Sequence, residues 1–115
     1  MQVKIYHNPR CSKSRQTLHL LQEHDIEPEV VEYLTSPPDK TTLRRILMQL
    51  GLSPRDLMRR KENEYKENHL DDPTLTDDQL IDAMLKFPKL IERPIVVTDK
   101  GAAIGRPPEK VLEVL

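Results

Sequence analysis

The chain predicts an α/β fold: a four-stranded mixed sheet flanked by helices, with a helical insertion between a βαβ part and a ββα part. Three observations lead there. Strand-like runs stand near both ends of the chain, at residues 3–6, 29–34 and 95–98. A helical stripe links the first two, and a strand–helix–strand order demands a parallel pair joined by a right-handed crossover. The 115 residues between the termini hold one domain's worth of core and no Gly/Ser linker, so a single domain over 1–115 is expected.

Taken in order, residues 2–7 form a first strand in which Val3, Lys4, Ile5 and Tyr6 alternate, and Asn8-Pro9 breaks it. A helix follows over about residues 12–24, carrying Leu18, Leu20 and Leu21. Residues 29–34 give the second strand, closed by Ser36-Pro37-Pro38. Leu43, Ile46, Leu47 and Leu50 fall at i, i+3, i+4 and i+7, with Gly51 as the stop. Ser53-Pro54 opens a further helix, and Thr76 to Gln79 matches a capping box ahead of Leu80, Ile81, Met84 and Leu85. Residues 61–73 are polar and read as irregular apart from a turn near 65–69. At the end, Ile95 to Thr98 is β-branched, Asp99-Lys100-Gly101 turns, and 102–104 pairs back antiparallel before a short last helix from Pro107. Strands of this order and sense make the arrangement thioredoxin-like.

Composition narrows the function. A net charge of −1 argues against a protein that holds nucleic acid by neutralising phosphates, yet leaves room for a small basic pocket. No apolar stretch reaches signal-peptide or membrane-span length, so neither a nucleic acid nor a membrane partner is expected. His7, His19, His24 and His69 are too scattered for metal-ligand spacing, and no metal is expected. One cysteine forms no internal disulfide, and a free thiol beside basic residues fits the reducing cytoplasm.

That cysteine is the most informative residue. Cys11 stands where the first strand hands over to the first helix, and a helix N-terminus favours negative charge. Arg10, Lys13 and Arg15 surround it in sequence, with His7 close by. These are the conditions that make a thiol nucleophilic. A lone cysteine is otherwise often a small buried apolar residue, but the flanks here are polar and turn-like. His7 either tunes Cys11 or closes the strand end, Asn8 either orients the loop or merely turns it, and Arg15 is either functional or an ordinary helix-surface charge.

Three segments, Ile5 to Cys11 (IYHNPRC), Glu92 to Val97 (ERPIVV) and Gly105 to Glu109 (GRPPE), resemble the arsenate reductase family of the ArsC type, glutaredoxin-coupled enzymes of thioredoxin-like fold. The resemblance runs over nearly the whole chain and fits a short subgroup. It departs around the cysteine, where Arg10, Ser12 and Lys13 replace residues that are small or neutral in well-studied members. The resemblance implies Cys11 as the nucleophile and three arginines as the oxyanion site: Arg93, Arg106 and, on the helix after Gly51, Arg59 in preference to adjacent Arg60. It implies that Pro94 is the cis-proline facing the cysteine.

The implied reaction is reduction of arsenate, or a similar oxyanion, to arsenite. Cys11 displaces an arsenate oxygen, glutathione attacks the adduct as co-substrate, and a glutaredoxin resolves it; no bound cofactor is expected. Arginine suits the anion because its planar donors engage two oxygens and it stays charged. Ser14 occupies the resolving position of a C-x-x-C motif; its hydroxyl is expected near the thiolate but forms no disulfide. Ser14 also weighs against a redox-responsive regulator of RNA polymerase, which uses a C-x-x-C switch. A phosphatase-like arsenate reductase needs C-x5-R, and Arg15 lies only four positions after Cys11. A thiol-dependent oxidoreductase or deglutathionylating protein of the same fold remains the other alternative.

Overall fold

The computed structural model describes residues 2–115. These fall into two compact units, one formed by the chain up to Pro37 together with Arg93–Leu115, the other by Pro38–Glu92.

The first unit is built on strands β1 (Lys4–Tyr6) and β2 (Glu29–Val31), with helix α1 (Ser12–Glu23) between them. β1 and β2 pair in parallel, Ile5 opposite Val30, as a crossover through a helix requires. Strands β3 (Ile95–Thr98) and β4 (Gly101–Ile104) form a hairpin, and β3 pairs antiparallel with β1. The four-stranded mixed sheet therefore has the order β2-β1-β3-β4, the α/β, thioredoxin-like class that the chain predicts. Ile5, Val96 and Ala103 stand in register across it, and the pleat aims them at one face. That face packs with Val3, Leu21, Val111 and Val114 into one apolar core, against α1 and a C-terminal 3-10 helix, Pro108–Val114.

Two differences from the sequence reading have plain causes. β2 stops at Val31 rather than 34 because β1 ends at Tyr6 and offers no further ladder; the Glu32 carbonyl instead accepts from the Thr35 and Ser36 amides. The last helix is 3-10 rather than α: the Lys110 amide reaches back three residues to Pro107, and that of Leu115 to Leu112.

The second unit holds α2 (Lys40–Leu50), α3 (Pro54–Leu57), α4 (Asn63–Glu67) and α5 (Asp77–Lys86). The predicted caps are present: Ser53 with Asp56, and Thr76 with Gln79, each form a capping box. α5 turns Leu80, Ile81 and Met84 inward, and α2 does the same with Leu43, Ile46 and Leu47. Salt bridges Lys40–Asp82 and Arg44–Asp78 lie on the exposed rim between these two helices and contribute little. The segment read as irregular contains α4, which ends with His69 in the left-handed region and the Leu70 amide returning to the Tyr65 carbonyl. α1 ends the same way at Asp25 (φ 59°) and α2 at Gly51 (φ 69°). Only the glycine could be foreseen, since this conformation is uncommon for other residues.

Candidate active site

Cys11 is the N-cap residue of α1, extended at φ −92° and ψ 123°, and partly exposed. Its side chain makes no capping hydrogen bond. The first amides of a helix have no intrahelical acceptor, so α1 presents donors beside the sulfur.

The loop that delivers Cys11 is fastened at nearly every peptide. The Cys11 amide donates to the Asn8 carbonyl (3.0 Å), and the Arg10 amide donates to Asn8 Oδ1 (3.0 Å). The Asn8 amide donates to Ser14 Oγ at 3.0 Å, and Arg15 Nη1 donates to the Pro9 carbonyl at 2.9 Å. Asn8 thus holds the turn through both its side chain and its carbonyl, and Arg15 clamps it from the helix. Ser14 is fully buried, with Oγ 2.6 Å from His7 Nδ1. The hydroxyl expected near the thiolate is engaged by His7 and the Asn8 amide instead.

His7 closes β1 from a buried position, its amide donating to the Val31 carbonyl. Burial holds its imidazole below the ordinary value of 6.5; Arg15 pushes the same way, and Glu32 opposes. A depressed folded value means that folding favours the neutral ring. Its contribution to stability is complete above about pH 6.5 and disappears as pH falls through the folded value. Denaturant titrations at pH 7.5 and pH 5 are therefore expected to show a larger acid loss for the wild type than for His7→Gln. Equal losses would show that the ring is not held neutral by the fold.

The other half of the site comes from the far end of the chain. Arg106 Nη1 lies 3.9 Å from Cys11 Sγ and also donates to the Arg93 carbonyl at 3.3 Å. The Arg93–Pro94 peptide is cis, as the resemblance implies, and so is Arg106–Pro107. Pro94 is buried, and its carbonyl accepts from the Gly105 amide at 2.9 Å. One guanidinium therefore bridges the Cys11 sulfur and the segment that begins β3.

Gly105 makes this approach possible. A Cβ there would sit 2.5 Å from Thr17 Oγ1 and 2.9 Å from Pro94 Cγ. Thr17 is fully buried with its hydroxyl bonded to the Lys13 carbonyl, so it has nowhere to retreat. Gly105→Ala is expected to cost about 1–3 kcal/mol, the usual range for overpacking. Pairing it with Thr17→Ala should recover much of that loss in a denaturant melt. Thr17 is a supporting residue that sequence reasoning missed, because nothing local marks a helix position that meets the end of β4.

Arg59 belongs to the second unit. α3 ends at Leu57, so Arg59 lies past that helix rather than on it, next to an isolated bridge between Met58 and Ile91. Its amide donates to the Leu90 carbonyl at 2.7 Å, and its half-buried guanidinium meets Glu62 at 3.5 Å and Glu92 at 3.9 Å. Arg60 is exposed and pairs with Asp56. The two arginines differ in surroundings because the chain turns here, the Glu62 amide donating to the Arg59 carbonyl, not because they share a helix.

Among the described residues no helix is long and apolar enough to cross a membrane. Comparison with known proteins agrees with the geometry. The model of the ArsC family matches residues 6–114. The chain is 61% identical to an uncharacterized protein, YfgD, of Escherichia coli K12, over 99% of this chain and 97% of that one. It is 51% identical to an arsenate reductase of Neisseria meningitidis, over 99% and 98%. An arsenate reductase structure from Vibrio cholerae superposes with a TM-score of 0.97 at 55% identity, covering 100% of this chain and 98% of that one. With Cys11 at a helix start, Arg106 against its sulfur and a match spanning both ends of the site, the chain belongs to the ArsC family.

Proposed function

We propose that this protein is an arsenate reductase that uses Cys11 as its nucleophile and an external thiol as its reductant. The observation that carries the reading is the 3.9 Å approach of Arg106 Nη1 to Cys11 Sγ, beside the open N-terminus of α1. A cation and helix amides aimed at one thiol suit a thiolate meeting a tetrahedral oxyanion.

In this reading the Cys11 sulfur bonds to arsenic while one As–O bond breaks, and that oxygen leaves as water after taking protons from solvent. Glutathione then bonds through its sulfur to Cys11 Sγ. The S–As bond breaks with its electron pair on arsenic, so As(V) becomes As(III) while two sulfurs are oxidised to a mixed disulfide. A glutaredoxin accepts the glutathionyl group and frees Cys11. The chain holds one cysteine, so the second sulfur must come from outside. Arg106 serves the oxyanion, with Arg93 and Arg59 entering through the family resemblance alone. A free thiol of this kind calls for a reducing compartment, such as the cytoplasm.

The test follows NADPH oxidation with arsenate, glutathione, glutaredoxin and glutathione reductase, leaving out each component in turn. The expected result is turnover that needs arsenate and glutathione and slows without glutaredoxin. Turnover with a disulfide substrate but none with arsenate would replace this reading with a thiol oxidoreductase of the same fold.

A further inference from the structure

We propose that Ser14 is a positioning residue for Cys11: its hydroxyl, shared between the His7 ring and the Asn8 amide, fixes the His7 proton on Nε2 and holds the turn that delivers the sulfur. Its weight in turnover rests on the function proposed above; the proton arrangement and the hold on the turn do not.

Three observations lead to it. His7, Ser14, Thr17 and Thr98 are the buried polar side chains among the described residues, and the first two meet each other, Ser14 Oγ to His7 Nδ1, at 2.6 Å. Thr17, on the same helix and equally buried, donates to the carbonyl of Lys13, the usual local bond of a helical hydroxyl. Among the described residues Ser14 makes no such bond; its oxygen leaves the helix for the segment that precedes Cys11. Asn8 relays that hold, because its amide donates to Ser14 Oγ at 3.0 Å and its carbonyl accepts from the Cys11 amide at 3.0 Å.

Proton counting assigns the roles. A serine hydroxyl has one proton to give and room to accept two. The Asn8 amide can only donate, so Oγ accepts there. The hydroxyl proton, sealed from water, then has Nδ1 as its acceptor, and the ring keeps its own proton on Nε2. An Nδ1–H ring, neutral or charged, would aim a second donor at Oγ and leave the buried hydroxyl proton without an acceptor, which is costly. Burial and Arg15 on α1 favour the neutral ring against Glu32, which follows β2. Among the described residues Arg106 is the hydrogen-bond partner of Cys11 Sγ, so Ser14 acts on the sulfur through the turn and not by touching it.

The first test needs neither arsenate nor a change at Ser14. Nitrogen-15 spectra of the histidine rings at about pH 7.5, with the His7 signals identified by their absence in His7→Gln, are expected to show a bare Nδ1 and a protonated Nε2. An Nδ1–H ring would overturn the proposal. The second compares amide hydrogen exchange in the wild type and in Ser14→Ala. The Asn8 and Cys11 amides are expected to exchange at least about tenfold faster in the variant, while core amides such as Leu21 and Val96 keep their rates. Unchanged exchange at Asn8 and Cys11, or equal acceleration at Leu21 and Val96, would also overturn it. With arsenate, Ser14→Ala should lower kcat about ten- to hundredfold and leave KM nearly unchanged, because the sulfur is misplaced while the cation for the oxyanion stays. A raised KM at unchanged kcat would refute the positioning role. Absence of arsenate turnover in the wild type would sink the function proposed above, and the ring and exchange results would still decide this inference.

Discussion

Cys11→Ser is expected to bring arsenate-dependent NADPH oxidation down to the background of the coupled mixture. A serine hydroxyl presents no anion near neutral pH, and oxygen cannot enter the sulfur–sulfur bond through which two electrons leave. Misfolding would not explain the loss. The cysteine side chain makes no cap bond and is partly exposed, while serine is itself a favoured N-cap. The variant should therefore melt at or above the wild-type temperature while being inactive. An arsenate-dependent rate that survives the substitution would remove Cys11 from the chemistry.

Arg106→Ala should produce the next largest effect, a fall of about 10²–10³ in kcat/KM for arsenate, the size seen when an aligned donor to a developing anion is removed. The physical basis can be bounded. Attraction between unit charges about 4 Å apart is about 1 kcal/mol in water and about 4 kcal/mol at an effective dielectric constant near 20. The site is partly exposed, so the alkylation rate of Cys11 by neutral iodoacetamide should fall toward the lower end of that range. Arg106→Lys separates charge from geometry. Lysine keeps the cation but lacks the planar fork that reaches both Cys11 Sγ and the Arg93 carbonyl. It should recover part of the alkylation rate and little of the arsenate kcat/KM. Equal alkylation rates in all three proteins would show that Arg106 has no hold on the sulfur.

Much of this molecule can be read from neighbours along the chain. Caps at Ser53 and Thr76 need only residues three apart, and the start of α1 at Cys11 follows from Asn8-Pro9 and the stripe behind it. Left-handed helix ends at Asp25 and His69 escaped notice because they depend on the fold tolerating a costly backbone conformation. β2 came out shorter because a strand extends only as far as its partner does.

The site divides along the same line. Sequence alone singled out Cys11 as the candidate nucleophile, put it at a helix start and left no second cysteine in the chain to resolve it, since each follows from one cysteine and its immediate flanks. Tertiary structure decided that Arg106, 95 residues away, rests on that sulfur, that Gly105 lets it come so close to α1, and that Ser14 belongs to His7 and the loop. Contacts of that span depend on how α1 packs with β4 and the last helix, and a linear pattern of residues carries no measure of the ångströms by which two surfaces clear each other.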